Sequence, residues 1–82
     1  MDREELFPRF LFLLGSHIVT PLDDPYEELS PYTMFKELGM DAAAVDAFRL
    51  DLAKTYAVSI PADKKYPGLL ELFDALCAAL EL

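Results

Sequence analysis

Asp41 stands two residues after Gly39, at the head of an apolar-periodic run, in the stretch Lys36-Glu37-Leu38-Gly39-Met40-Asp41. A glycine stop followed by an aspartate cap builds a helix start. The free N–H groups and partial positive charge there can hold an anion. The three residues that follow are Ala42, Ala43 and Ala44. They are good helix formers, and their side chains carry no atom able to react. The frame of a site is present without its reactive group.

The other residues with chemical potential read as structure. Asp23, Asp24, Glu27 and Glu28 lack the glycine and the terminal ligand of a calcium loop, so they read as a solvated acidic loop. His17 is the single histidine and has no cysteine beside it, so neither a zinc site nor a catalytic triad is expected. Cys77 follows Phe73 by one helical turn and reads as a small buried hydrophobe. Lys64 and Lys65, the only adjacent basic pair, read as part of a solvated loop.

The elements that must position the Asp41 frame are short. The chain has 82 residues, one small domain (1–82) that buries only roughly 60–65% of its unfolded surface. Its apolar content of 54%, with six Phe and four Tyr, argues for a core. The net charge of −8 argues against nucleic acid and anionic membranes as partners and favours a protein partner with a basic surface. One cysteine allows no intrachain disulfide, which fits a cytoplasmic setting. The N-terminus is acidic before it is apolar, so it is not a signal peptide, and Pro8 and Arg9 interrupt an apolar run too short to span a bilayer.

Strand signals are weak and the periodicity is helical. The first helix is expected within Asp2–Leu14, with Asp2 and Glu5 at capping-box spacing, a stop at Gly15, and a start near Phe7 or an irregular first turn because of Pro8. Leu6, Phe10, Leu13 and Leu14 should face the core. Phe7, Leu11 and Phe12 make this helix apolar almost all round, a surface on which two copies can pair. A long connection follows, with X-Pro steps at Pro21, Pro25 and Pro31. Ser30 and Pro31 start a short helix that ends at Gly39. Asp41 then caps a helix from about Ala42 to Ala57. Val45, Phe48, Leu52 and Tyr56 form its buried stripe, and Ala43, Asp46, Leu50 and Lys54 an exposed one. Ile60 plugs the next loop. Pro67 starts the last helix, with Leu69, Leu72, Phe73, Leu76 and Leu80 on one face.

This pattern resembles the acyl carrier proteins, whose signature Leu-Gly-x-Asp-Ser-Leu opens the second helix. Here it reads Leu38-Gly39-Met40-Asp41-Ala42-Ala43. Tyr56, Ile60 and Pro61 match the family's later aromatic and Ile-Pro pair in ungapped register from Asp41. "SPYTMFKELG" resembles the approach to the motif and "GLLELFDAL" the last helix. The resemblance is clearest from Ser30 to Leu76. It implies a small acyl-carrier-protein-like all-α bundle of three longer helices plus one short helix, with a long loop after the first. In the family the motif serine carries 4′-phosphopantetheine; Ala42 has no oxygen, so no such cofactor is expected here unless residue 42 were Ser. Asp41 would be the cap beside that position. The resemblance places the partner-binding side at Met40, Ala43, Asp46, Leu50 and Asp51. Ala43 and Asp46 reduce its apolar character, and Arg49 and Lys54 dilute its acidity.

The resulting expectation is a carrier-like protein–protein interaction module of an acyl- or aminoacyl-transfer or other biosynthetic pathway, with no enzymatic activity of its own. The partner would be an acyl-transfer or synthase enzyme with a basic surface. Two alternatives stand beside it: a genuine carrier seen as a Ser-to-Ala attachment-site variant, and an unrelated acidic helical adaptor or inhibitor.

Overall fold

The computed structural model describes residues 2–18 and 29–82. Three α-helices carry the fold: α1 (Arg3–Leu14), α2 (Ala42–Tyr56) and α3 (Leu69–Ala79). Single 3₁₀ turns occupy Gly15–His17 and Phe35–Leu38. The chain is thus a small all-α bundle. The acidic stretch Asp23–Glu28 and most of the long connection lie outside the described residues. Among the described residues no helix is long and apolar enough to cross a membrane.

The helix starts follow local chemistry. The Asp2 carboxylate accepts the Glu5 N–H at 2.9 Å and the Leu6 N–H donates to the Asp2 carbonyl at 3.0 Å. The helix therefore begins at Arg3 and contains Pro8. Pro8 cannot donate back to the Glu4 carbonyl, but both residues are exposed, so water can take that acceptor. Gly15 is not the left-handed stop its type suggests. Its φ is −55°, and the chain continues through one 3₁₀ turn before becoming extended at Ile18.

The short helix is also smaller than expected. Ser30 and Pro31 begin a turn, with the Tyr32 N–H donating to Ser30 Oγ and the Thr33 N–H to the Ser30 carbonyl. Only Phe35–Leu38 is helical. The reason lies far along the chain, where Gly68 pairs with Met34 in an antiparallel bridge. The Phe35 N–H donates to the Pro67 carbonyl at 3.0 Å, and the Leu69 N–H to the Thr33 carbonyl at 2.9 Å. Those bonds require an extended Met34 (φ −92°, ψ 146°), which a helix from Pro31 forbids. They also hold Pro67 outside α3, which begins at Leu69 with Gly68 at the cap position. A Cβ on Gly68 would meet Met34 Sδ at 3.0 Å and the Thr33 carbonyl oxygen at 3.3 Å. Glycine permits this close crossing.

The core is an aromatic row between aliphatic layers. Phe73 meets Phe10 at 5.3 Å, Phe10 meets Phe48 at 5.1 Å, and Phe48 meets Phe35 at 6.3 Å between ring centroids, all tilted or edge-on. Tilted and edge-on rings suit the aromatic quadrupole. The row joins α3, α1, α2 and the second 3₁₀ turn. Leu6, Phe10 and Leu14 are fully buried and Leu13 partly so. The other apolar side of α1 divides, with Leu11 buried and Phe12 80% exposed. Phe48 and Leu52 of α2, Ile60, and Leu69, Leu72 and Leu76 of α3 are buried as their spacing implies, with Val45, Tyr56 and Leu80 at the margin. Cys77 is buried. Burial pushes its thiol above the usual range, Asp74 adds to the rise, and Arg3 opposes it. Such a thiol is a poor nucleophile.

Candidate functional site

The start of α2 is built from a turn and a cap. Gly39 adopts φ +71°, a left-handed conformation in which a β-carbon is strained. Its N–H donates to the Lys36 carbonyl, and the Met40 N–H to the Phe35 carbonyl at 3.1 Å. Asp41 is extended (φ −85°, ψ −179°) and its carboxylate accepts the Ala44 N–H at 2.8 Å. Ala42 and Ala43 are exposed. Their N–H groups belong to the first turn and have no acceptor within the helix. The arrangement can receive an anion, and the Ala42 methyl supplies no atom to bond one covalently.

The cap makes a testable contribution. Asp41→Ala is expected to lower stability by about 1 kcal/mol, seen as a lower urea midpoint with an unchanged slope. Asp41→Asn keeps the acceptor and should stay close to the parent. Equal midpoints for Asp41→Ala and the parent would remove the cap from the account.

The five residues expected on a partner-binding side do not share one environment. Ala43, Asp46 and Leu50 are exposed on α2, Leu50 to 53%. Met40 is only 7% exposed and part of the core. The turn through Gly39 folds it inward, so it offers little of the surface expected of it. Met40 and Val45 occupy the positions before the cap and at the fourth helical residue, where a hydrophobic staple pairs apolar side chains. That spacing is readable in the sequence. Asp51 turns to another side and meets His17, Oδ2 to Nε2 at 3.0 Å. The His17 ring also lies 5.3 Å from Phe48. His17 therefore ties the turn after α1 to α2.

Arg49 is only 8% exposed, and it offsets the acidity of Asp46 by pairing with it from below the surface. Its Nη1 donates to the Ile60 carbonyl at 2.9 Å, while Nε and Nη2 donate to Asp46 Oδ1 at 3.0 and 2.7 Å. The Asp46 carboxylate, exposed as it is, is already engaged. Tyr66 donates its hydroxyl to the Pro61 carbonyl at 2.7 Å. Burial pushes the Tyr66 phenol up, with Arg49 lowering it and Asp63 raising it. These bonds hold the loop after α2 against the helix and leave an open groove of about 1160 Å³ beside Ala42. Met34, Phe35, Met40, Val45, Tyr66 and Pro67 contribute its apolar lining. Nothing in the periodicity of the sequence marks this groove, since its walls meet only through tertiary contacts.

Among the described residues no group of three or more His, Cys, Asp or Glu side chains could hold a metal ion. Comparisons with protein-family models, with curated proteins and with solved structures found no match to this chain.

Proposed function

We propose that this chain is an acyl-carrier-protein-like interaction module that docks on a partner and, with Ala42 in place of the motif serine, takes no 4′-phosphopantetheine arm. The observation that carries this reading is the start of α2. Gly39 turns the chain, Asp41 caps the helix, and Ala42 stands exposed at the position where the resembled family has its attachment serine. The exposed Ala43 and Leu50 would supply the contact surface, and the acidic balance of the chain would favour a basic protein such as an acyl-transfer or synthase enzyme of the cytoplasm. The role is docking and not catalysis.

A second reading has its own support. Ala42 is exposed at a helix N-terminus with free first-turn N–H groups, so a serine there would present its hydroxyl to solvent beside a suitable phosphate environment. That favours a genuine carrier seen as a Ser-to-Ala variant. One experiment separates the two. The parent and Ala42→Ser are incubated with coenzyme A and a promiscuous phosphopantetheinyl transferase, and intact masses are measured. The parent is expected to gain no mass, and a gain of one arm on it would sink the non-carrier reading. Efficient loading of Ala42→Ser favours the genuine carrier. No loading by transferases of different specificity favours the docking module, or an unrelated acidic adaptor.

A further inference from the structure

A second hollow lies between the first half of α1 and the first half of α3, and it shares no lining residue with the groove beside α2. Its volume is about 530 Å³, within the range of small-molecule sites. Phe7, Pro31, Leu70 and Phe73 supply its apolar lining. The Phe7 ring meets Phe73 edge-on at 5.1 Å and stacks on Phe10 at 6.1 Å. The aromatic wall is therefore held by the core. Leu70 differs from its neighbours on α3. Leu69, Leu72 and Phe73 are buried in the core, whereas Leu70 is half-buried and stands outside it. The fold makes little use of its side chain.

The rim carries both signs of charge, but unequally. Arg3, Glu4 and Asp74 form it. Arg3 Nη1 pairs with Asp74 Oδ1 at 3.1 Å, and Nη2 donates to the Leu82 carbonyl at 3.4 Å. That pair offsets the Asp74 charge and occupies the guanidinium. Glu4 is exposed and enters no ion pair among the described residues. The spare charge on the rim is therefore negative. Each helix start adds a partial positive charge of roughly half a unit. Asp2, Glu4 and Glu5 at the start of α1, with Glu71 in the first turn of α3, outweigh both. The net charge of −8 adds a field that draws cations to the surface.

Aromatic rings beside a carboxylate suit an organic cation. The ring quadrupole attracts an ammonium group, and an apolar body can bury itself against the leucine and the rings. A neutral hydrocarbon leaves Glu4 unused, and an anion is repelled by it. A bare metal ion fits poorly, since calcium takes six or more oxygen ligands and the rim offers one unpaired carboxylate above apolar walls.

We infer that this hollow binds a small organic cation, an ammonium group on an aryl or short alkyl body. The body lies against Phe7, Leu70 and Phe73, and the ammonium lies at Glu4. The site uses neither residue 42 nor the exposed face of α2, so it stands apart from the docking reading and can fail or succeed without it.

The test is an amide NMR titration of the full chain with 2-phenylethylammonium chloride, compared with 2-phenylethanol (body without charge) and methylammonium chloride (charge without body). Saturable shifts are expected at Glu4, Phe7, Leu70 and Phe73, with the phenylethylammonium ion tighter than the alcohol and methylammonium inert. Glu4 and Leu70 lie outside the core, so Glu4→Gln and Leu70→Gln should keep the parent's spectrum elsewhere. Glu4→Gln is expected to bind the phenylethylammonium ion about threefold more weakly, from one solvent-exposed charge interaction, and the alcohol equally well. Leu70→Gln should weaken both, because it removes apolar lining and no charge. Equal affinity for the ion and the alcohol, indifference to Glu4→Gln, shifts centred on Ala42 to Asp46, or no saturable binding would each overturn the proposal.

Discussion

Phe48→Ala is expected to remove about 3–5 kcal/mol of stability, the usual cost of emptying a large aromatic site in a core. Phe48 is fully buried and touches three parts of the chain at once. Its ring lies 5.1 Å from Phe10 of α1, 6.3 Å from Phe35 of the second 3₁₀ turn and 5.3 Å from His17. Truncation leaves a cavity that cannot collapse without moving two helices. A domain of this length has a total stability of about 4–12 kcal/mol, so the variant should be largely unfolded or marginal at room temperature. Urea denaturation followed by circular dichroism measures the loss, and Phe48→Leu, which retains much of the volume, should lose less. A Phe48→Ala chain that unfolds within about 1 kcal/mol of the parent contradicts the central place given to this ring.

Arg49→Met should cost about 2–3 kcal/mol, although it replaces a charged residue on a helix with a good helix former of similar length. The reason is the Ile60 carbonyl, which accepts from Arg49 Nη1 at 2.9 Å in a buried setting. Without that donor a buried acceptor is left unpaired, and the loop through Ile60 loses its tie to α2. Asp46 contributes less. Its side chain is 54% exposed, so water screens the pair and can solvate either carboxylate or amide. Asp46→Asn is therefore expected to cost under about 1 kcal/mol. The two variants separate the buried bond from the surface ion pair. Chemical denaturation gives the ranking, and faster hydrogen exchange in the amides of residues 57–68 should accompany Arg49→Met alone. Equal losses for the two variants would show that the Ile60 bond is not what holds the loop.

Features that depend on neighbours along the chain are legible in the order of residues alone. The Asp2 and Asp41 caps, the turn at Gly39, the α2 stripe through Phe48 and Leu52, the burial of Ile60 and Cys77, and the exposed row Ala43, Asp46, Leu50 and Lys54 all rest on spacings of a few residues. A cap bonds a backbone N–H three residues on, and helical period places a face directly. The candidate site is legible to the same extent, since its turn and cap are local and the alanine at residue 42 is read directly.

Tertiary structure decided what distant segments do to one another. Ser30-Pro31 is a sound local helix start, but the bonds of Thr33 and Phe35 to residues 67–69 hold Met34 extended and restrict the turn to Phe35–Leu38. The same crossing moved the start of α3 from Pro67 to Leu69. Arg49 reads as a surface charge by its residue type, and only the arrival of Ile60 makes it a buried donor. Asp51 and His17 are 34 residues apart, so the hydrogen bond between them has no signal in local spacing. The sequence by itself determined three helices, the Asp2 and Asp41 caps and the absence of a nucleophile at residue 42. The meeting of residues 33–35 with 67–69, and of Arg49 with Ile60, was left to packing, because long-range bonds override a local preference worth only about 1 kcal/mol.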